Sequence, residues 1–480
     1  MSKNKELIRN TVIIFSGKFC TQFITFFLLP LYTSYLNTSD YGIIDIITTY
    51  IALISPIITL QLELGVFREL IDCRQDGRNI SKIISSGFVA IIRNYILCLF
   101  LFIIINLFLN IEYYFYLALL VLVTIMSNYF LQISRGLGKN IHYAVGSIIT
   151  GITTIVLSII FLSVFNMKID GVLLSTIIAN LLCSLYIIFN ERLFLYLKPQ
   201  QFDKKIYKKL LKYSLPLVPN GLVWWIISIS DRTIISIILG AGANGIYAVS
   251  NKFSNILLQS YSIFNLSWTE TASLHLNDED SSEFFSNIFE NVINISYSVC
   301  LMLLSLMPFI FIIMVDNSYS DAYNYIPILL IGMFFDILVS FLGAIYIAKK
   351  KTKEITKTSL LSAILNIIIN LSLIKVIGIY AAAISTLISF LVIFIYRIID
   401  VQSIVKIKYK PRLIPTLIIM LIINIIIYYY KSNLFQIINV LISFFFILFI
   451  NRSFINTIYS NFTKNFKSFN NNIRMYKKRK

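Results

Sequence analysis

The sequence predicts an all-α membrane protein with about 14 transmembrane helices. Hydrophobic residues make up 58% of its 480 positions, charged residues only 13%, and the mean hydropathy is +0.80. A chain of this composition is not expected to fold as a soluble globule. Its apolar stretches are each long enough to supply the ~20 helical residues that cross hydrocarbon, and the gaps between them are short. No room remains for a separate soluble domain.

The predicted spans follow one another almost without interruption. They cover residues 11–36, 41–64, 83–109, 114–134, 141–165, 169–190, 211–239, 245–268, 286–314, 323–348, 358–376, 378–399, 413–430 and 434–451. The first is too long for the apolar region of a cleavable signal peptide, so we expect it to remain as an anchor. Each proline inside a span removes a backbone donor, so bends are expected at these sites. The prolines inside spans are Pro30, Pro56, Pro216, Pro219, Pro308, Pro327 and Pro415.

The distribution of positive charge predicts the orientation. With the N-terminus inside, 34 of the 41 Lys and Arg residues fall in or beside cytoplasmic segments, and three fall outside: Lys168, Lys375 and Lys431. The positive-inside rule therefore predicts that both termini are cytoplasmic. The net charge is +18, and the positive residues lie beside the spans. They are not interleaved with aromatic residues that could stack on bases, so contact with anionic lipid headgroups is indicated and no nucleic-acid partner is expected.

No metal or organic cofactor is expected from the sequence. The glycines of Gly240–Gly245 match a dinucleotide-binding pattern, but the preceding apolar run is too long for a strand, and the topology places the turn outside the cell. A tight external hairpin explains the glycines better. The five cysteines are expected to be buried small hydrophobes, and the two histidines have no metal-ligand spacing.

A short internal repeat predicts two related halves. Leu36–Ile43 aligns with Leu239–Ile246 at an offset of 203 residues, and each copy lies between the first two helices of a six-helix block. The predicted domains are an N-terminal six-helix bundle (1–200), a C-terminal six-helix bundle (201–400), and two extra helices with a basic tail (401–480). Two parallel bundles around a central cavity form a transporter design.

Two groups of residues resemble a known family. The stretch FFLLPLYTSYL (26–36) with DYGI (40–43) resembles the opening of Wzx-type polysaccharide repeat-unit flippases. The segments LPLVPN (215–220), SDR (230–232) and NGIY (244–247) resemble the corresponding part of the second half. The likeness extends in topology over nearly the whole chain, as in the multidrug/oligosaccharidyl-lipid/polysaccharide exporter superfamily.

This resemblance implies a flippase of the bacterial inner membrane and not an enzyme. It would move an undecaprenyl-diphosphate-linked oligosaccharide from the cytoplasmic to the external leaflet by alternating access, for O-antigen or capsule synthesis, with lipopolysaccharide as one product. A polysaccharide polymerase and a chain-length regulator are the partners that such a role implies. A proton or sodium gradient is the expected energy source.

Charges inside the spans are the candidate site residues, because each costs about 2.5–3.5 kcal/mol near a helix centre unless it faces a partner or a cavity. The predicted substrate-binding cations are Lys18, Arg68, Arg93, Arg232 and Lys252. The predicted ion-coupling carboxylates are Asp231 and Asp336. The other charges in or near spans are Asp45, Glu63 and Glu270.

Helix geometry predicts how three of these residues are arranged. Asp231 and Lys252 lie at similar depth, about 10–12 Å from the hairpin at 1.5 Å per residue, so we expect them to pair. Arg232, about 100° around the helix, would then face the cavity. Asp336 lies roughly 16–20 Å into its span. A carboxylate at this depth is expected either to couple transport to an ion or to lock neighbouring helices through hydrogen bonds.

Two other functions remain open at the level of sequence. A cation-coupled multidrug antiporter would share the fold but should have a cavity dominated by acids. A membrane polysaccharide polymerase would need a large external catalytic loop, and every predicted external loop has about ten residues or fewer.

Overall fold

The computed structural model describes residues 26–73, 77–110, 112–408, 414–430, 432–452 and 456, and sixteen α-helices lie within them. They are α1 Leu29–Tyr35, α2 Thr38–Thr59, α3 Leu62–Asp72, α4 Gly77–Leu109, α5 Tyr114–Gly136, α6 Asn140–Ile159, α7 Lys168–Asn190, α8 Lys204–Ser214, α9 Leu217–Leu239, α10 Ala241–His275, α11 Ser281–Met314, α12 Ala322–Ala348, α13 Thr352–Ile377, α14 Tyr380–Val401, α15 Ile414–Tyr429 and α16 Asn433–Ile450. No strand occurs in this part of the chain. The all-α prediction is confirmed.

Ten of the described helices are long and apolar enough to cross a membrane. Helices α9 and α10 cover the predicted seventh and eighth spans, α15 is a shorter apolar helix of 16 residues, and most of the predicted first span lies outside the described residues. Helix α2 ends before its predicted limit, because Leu60 and Gln61 both adopt positive φ, +50° and +53°. The chain then begins α3, an 11-residue helix.

The chain divides into two compact units. The first contains the described parts of Met1–Lys252, Met314–Tyr325 and Thr356–Ser385. The second contains Phe253–Ile313, Ile326–Ile355 and the described part of Thr386–Lys480. These units are defined by the packing of residues and not by the sequence repeat. The predicted domain boundaries at residues 200 and 400 therefore stay a prediction.

Serines on α4 attach the connection between α7 and α8 to the first unit. Ser81 and Ser85 both donate to the Tyr196 carbonyl, at 2.8 and 2.9 Å. Ser86 accepts from the backbone N–H of Asp203 at 2.9 Å, and Asp203 in turn caps the N-terminus of α8. These bonds satisfy backbone groups of the connection and hold α8 against α4.

An aromatic core organises the second unit. Trp268 of α10 stacks on Phe341 of α12 with a centroid distance of 4.5 Å and donates its Nε1–H to the Phe341 carbonyl at 3.1 Å. Phe285 and Phe289 of α11 pack against the same pair. The buried indole therefore has its required hydrogen-bond partner.

Candidate functional site

Two glycines bring α2 and α10 into backbone contact in the first unit. A Cβ atom built on Gly42 would lie 1.9 Å from the Ala241 carbonyl oxygen, and one built on Gly245 would lie 1.9 Å from the Thr38 carbonyl oxygen. Only glycine fits at either position. Gly42 and Gly245 are also the residues that the internal repeat aligns, so the two repeat copies meet at equivalent atoms. We call this contact the glycine crossing.

An ion pair joins α2 to α9 within a few residues of the glycine crossing. Arg232 Nε donates to Asp45 Oδ2 at 2.7 Å, and both side chains are largely buried, with 17% and 11% of their surface exposed. Asn244 donates to the Gly42 carbonyl at 3.0 Å and to Asp45 Oδ2 at 3.3 Å. The pair and the amide thus connect α2, α9 and α10 through one carboxylate.

Asp231 points about 100° away from Arg232 around α9 and accepts hydrogen bonds from neutral side chains. Its side chain is buried, and Tyr247 Oη donates to Oδ2 at 2.9 Å. Asn370 donates to Oδ1 at 2.8 Å and Asn366 to Oδ2 at 3.5 Å. The two asparagines lie on α13 one turn apart and are buried themselves. We call Asp231 with Tyr247, Asn366 and Asn370 the amide cage.

The amide cage surrounds one buried carboxylate with neutral hydrogen-bond donors. Tyr247, Asn366 and Asn370 are neutral donors, so their hydrogen bonds stabilise the Asp231 carboxylate without cancelling its charge. The Oδ1 atom of Asn370 is buried and has no hydrogen-bond partner in the described part of the chain. Carboxylate and amide oxygens are the ligands that hard cations prefer. Within the described residues, no group of three His, Cys, Asp or Glu side chains could hold a metal ion.

The predicted pairing of Asp231 with Lys252 is wrong, and the ion pair that forms instead is Asp45–Arg232. The prediction considered only the two helices of the hairpin, α9 and α10. Helix α2 packs against α9 as well and offers Asp45 to Arg232. Because neighbouring residues point about 100° apart on a helix, Asp231 faces α10 and α13 while Arg232 faces α2. Arg232 is therefore an ion-paired residue.

Lys252 lies in the first unit, within electrostatic reach of Asp45 and Arg232. Its side chain is half-buried, and in the described ranges no carboxylate lies within 4 Å of its ammonium. The predicted cation Lys18 lies outside the described residues.

Two further predicted cations lie at exposed positions. Arg68 pairs with Asp72 one turn later on α3 at 2.8 Å, and both side chains are about half exposed. Arg93 is exposed on α4 and donates to Tyr207 Oη of α8 at 2.9 Å. None of the contacts given for Arg68 and Arg93 in the described residues involves Arg232 or the amide cage.

Asp336 lies in the second unit and is 3% exposed. Its Oδ1 atom has no hydrogen-bond partner among the described residues. Both predicted roles, ion coupling and the locking of neighbouring helices, are compatible with this burial, and both stay predictions.

Arg397 is a buried cation that the sequence reasoning missed. It was counted as a basic flank at the end of its span, yet the residue is only 1% exposed. Its guanidinium donates to the carbonyl of Val339 at 2.8 Å and lies 5.8 Å from the Tyr346 ring centroid. Gly343 makes space for it, because a Cβ there would lie 3.0 Å from Arg397 Nη1. Its position only a few residues before the predicted end of the span was the available signal.

Comparison with known proteins gives one family and one fold. A family model described as "Polysaccharide biosynthesis protein" matches residues 7–268. No curated protein matches the sequence. The fold is similar to the lipid II flippase MurJ in an inward closed conformation, with a TM-score of 0.68, 17% identity, and coverage of 94% of this chain and 99% of that one.

Multidrug transporters share the same fold. An inward-facing MATE family transporter of the MOP superfamily is similar with a TM-score of 0.68 and 12% identity, over 82% of this chain and 98% of that one. An outward-facing MATE structure gives a TM-score of 0.53 and 13% identity, over 83% and 96% of the two chains. At these identities the likeness establishes the fold alone.

Proposed function

The chain belongs to the polysaccharide biosynthesis protein family, and from this premise we propose that it is a flippase for an undecaprenyl-diphosphate-linked oligosaccharide. It would carry the sugar and diphosphate from the cytoplasmic to the external leaflet without making or breaking a covalent bond. The family match over 7–268 carries this proposal, and a fold similar to that of a lipid II flippase supports it. O-antigen and capsule are the polymers that such a substrate would supply.

Cations inside the spans would offset the cost of moving a diphosphate through hydrocarbon. A cation about 4 Å from a phosphate oxygen contributes roughly 4 kcal/mol at an effective dielectric constant near 20. Lys252 is the better candidate in the first unit, because Arg232 is already neutralised by Asp45. Lys18, Arg68 and Arg93 remain predicted substrate-binding residues from the sequence.

Alternating access would need the predicted external ends of α2 and α10 to separate and rejoin. In the described structure the glycine crossing, the Asp45–Arg232 pair and Asn244 hold these ends together. Tyr319 Oη also lies within hydrogen-bond distance of the carbonyls of Leu36 at 3.1 Å and Asn37 at 2.8 Å, so its single proton is shared between the end of α1 and the start of α2.

Ion coupling is assigned to Asp231 first and to Asp336 second. The amide cage offers the Asp231 carboxylate from α9 and, from α13, the Asn370 Oδ1 atom, which has no hydrogen-bond partner in the described residues; this pair of ligands would suit a sodium ion or a proton. Asp336 has a buried oxygen without a partner in the described residues, which suits a proton alone. If Asp336→Asn leaves transport and its response to an uncoupler unchanged, Asp336 has no role in coupling.

The proposed setting is the bacterial inner membrane with both termini in the cytoplasm. The polysaccharide polymerase and the chain-length regulator would act on the flipped product at the external face. These assignments rest on the charge asymmetry of the sequence and on the family to which the chain belongs.

A cation-coupled multidrug antiporter is the second candidate, favoured by the likeness to MATE transporters. Deletion of the gene separates the two functions. Accumulation of the undecaprenyl-diphosphate intermediate in the cytoplasmic leaflet, with loss of surface polysaccharide that the intact gene restores, is the result expected of a flippase. Unchanged surface glycan together with new sensitivity to cationic dyes would instead establish drug export.

A further inference from the structure

Helix α8 carries its positive charge on one face. At about 100° per residue, its five lysines fall within an arc of ~140°. They are Lys204, Lys205, Lys208, Lys209 and Lys212. The opposite face is apolar and packs on the first unit, where Leu210 is fully buried and a Cβ built on Gly65 of α3 would lie 3.2 Å from its carbonyl oxygen. The basic face therefore points away from the helices that support it.

Most of this charge has no acidic partner. Lys209 pairs with Glu69 of α3 at 2.5 Å. The other four lysines are exposed, and in the described part of the chain no carboxylate lies within 4 Å of them. Four unneutralised ammonium groups on three turns of helix repel one another, so an anion bound there would be stabilised.

Arg93 adds a fifth cation, at the point where α8 meets the exposed face of α4. Its Nη2 donates to Tyr207 Oη at 2.9 Å, and its guanidinium lies 5.2 Å from the Tyr207 ring centroid. Among the described residues it has no carboxylate within 4 Å. Lys204 lies three residues before Tyr207 and four residues before Lys208 on α8, so it neighbours both Lys208 and the tyrosine that Arg93 contacts.

The face of α4 that follows Arg93 is apolar and exposed. Leu97, Phe100, Leu107 and Phe108 are 59%, 64%, 78% and 83% exposed, respectively. Their spacing from Arg93, by steps of three or four residues, places them on one stripe of the helix. In a membrane-spanning helix such a stripe contacts lipid chains, and a cation at its end lies at the level of the headgroups.

We infer that Arg93, Lys204 and Lys208 form a binding site for the headgroup of an anionic phospholipid in the predicted cytoplasmic leaflet. The lipid chains lie along the exposed stripe of α4, and the phosphate contacts the three cations beside Tyr207. This site holds the α8 connection against the membrane surface. It gives Arg93 a lipid contact in place of the substrate contact predicted from the sequence, and the proposed transport function stands whether or not the site exists.

Binding of phosphatidylglycerol to the purified full-length chain tests the inference. Native mass spectrometry in detergent gives the affinity for phosphatidylglycerol and for neutral phosphatidylcholine. The test variant is Arg93→Gln/Lys204→Gln/Lys208→Gln. The matched control removes three exposed cations from the loop between α12 and α13, as Lys349→Gln/Lys350→Gln/Lys351→Gln. Arg93→Lys keeps the charge but changes the geometry at Tyr207, and it checks that loss of binding is not a folding defect.

The wild type and the control triple should bind phosphatidylglycerol at least tenfold more tightly than phosphatidylcholine. The test triple should lose roughly 100-fold, about fivefold for each removed charge near a lipid headgroup, and Arg93→Lys should keep most of the binding. Wild-type affinity in the test triple, or an equal loss in the control triple, would overturn the site. Displacement of phosphatidylglycerol by equimolar polyprenyl diphosphate would also overturn it, because the site would then belong to the substrate path.

Discussion

At the scale of single residues, Arg232 shows how the first unit tolerates charge inside a membrane-spanning helix. An isolated arginine at a helix centre costs about 2.5–3.5 kcal/mol on insertion scales. Asp45 neutralises it from a different helix, and Asn244 donates to the same carboxylate. Both charged side chains are largely buried, so removing only one of them leaves the other without compensation.

We expect Asp45→Ala and Arg232→Ala each to destabilise the purified protein by about 3 kcal/mol, the lower end of the range for breaking a buried ion pair. The double variant should lose at least ~1 kcal/mol less than the sum of the two. Arg68→Ala, in an exposed pair with Asp72, should cost under about 1 kcal/mol and serves as the control. Thermal unfolding in detergent measures all four variants. Strictly additive losses would mean that the pair contributes nothing.

Equal flipping by Arg232→Ala and wild type at matched expression would remove Arg232 from the transport site.

The amide cage gives Asp231 a test that does not depend on transport. If Asp231 holds sodium, saturating NaCl should raise the Tm of the wild type by a few degrees over choline chloride, since ligand at 100 times its Kd contributes about 2.7 kcal/mol. Asp231→Asn should lose this rise, and Asp336→Asn should keep it. A rise that persists in Asp231→Asn would exclude the cage as the sodium site. A wild type without any rise would leave the proton as the only coupling ion for Asp231.

At the scale of elements, the glycine crossing fixes how closely α2 and α10 approach. The two contacts are equivalent, because a Cβ built on either glycine would lie 1.9 Å from a backbone carbonyl oxygen of the other helix. A carbonyl oxygen in a helix cannot move without moving the turn that carries it. An added methyl group must therefore separate the helices, which distinguishes this contact from one made by flexible side chains.

We expect Gly42→Ala and Gly245→Ala to destabilise the described conformation by about 1–3 kcal/mol, the cost of overpacking. Each should increase labelling of Thr38→Cys, introduced at the predicted external end, by a membrane-impermeant maleimide. Gly242→Ala is the matched control, because a Cβ there would meet the Thr38 Oγ1 atom at 3.3 Å and the Ser39 backbone nitrogen at 4.0 Å, and no carbonyl oxygen at short range. Unchanged labelling in Gly42→Ala would contradict the view that this contact keeps the external end closed.

The C-terminal end of α7 supplies a pH-dependent element outside the spans. Burial raises the pKa of Glu191 above its ordinary value, while the Ser134 hydroxyl, Lys139 and His142 oppose the rise. A carboxyl group with a raised pKa in the folded state contributes stability below its unfolded pKa and loses that contribution as pH rises through the folded pKa. The wild-type Tm should therefore fall as pH is raised from about 4.5.

Glu191→Gln should flatten this pH dependence, because glutamine can still accept from Ser134 but does not ionise. His142→Gln should keep the fall, since burial and not the histidine is the main cause of the raised pKa. Thermal unfolding between pH 4.5 and 8 compares the three proteins. A Glu191→Gln variant with the same pH profile as the wild type would show that another group titrates.

At the scale of the whole molecule, hydropathy predicted the all-α membrane fold because each span must satisfy its own backbone in lipid. The aligned positions of Gly42 and Gly245 were also readable from the sequence. Their mutual contact was not, because alignment relates residues by symmetry without saying that they touch. Arg232 and Asp45 are 187 residues apart in the chain, and only the packing of α2 against α9 pairs them. The burial of Arg397 could not be predicted, because a cation near the end of a span is usually a cytoplasmic flanking residue. In the structure, α12 provides a buried carbonyl that accepts from the Arg397 guanidinium.

A reversible cross-link at the glycine crossing tests whether the whole molecule must open there. A Cβ at residue 242 would lie 3.3 Å from Thr38 Oγ1, so Thr38→Cys with Gly242→Cys brings two sulfurs within the range of a disulfide. In a background without the native cysteines, oxidation should stop flipping and a reductant should restore it. Each single cysteine variant should flip under both conditions. If a fully cross-linked protein still flips at the wild-type rate, α2 and α10 do not separate during transport, and the substrate must leave by a path that the glycine crossing does not block.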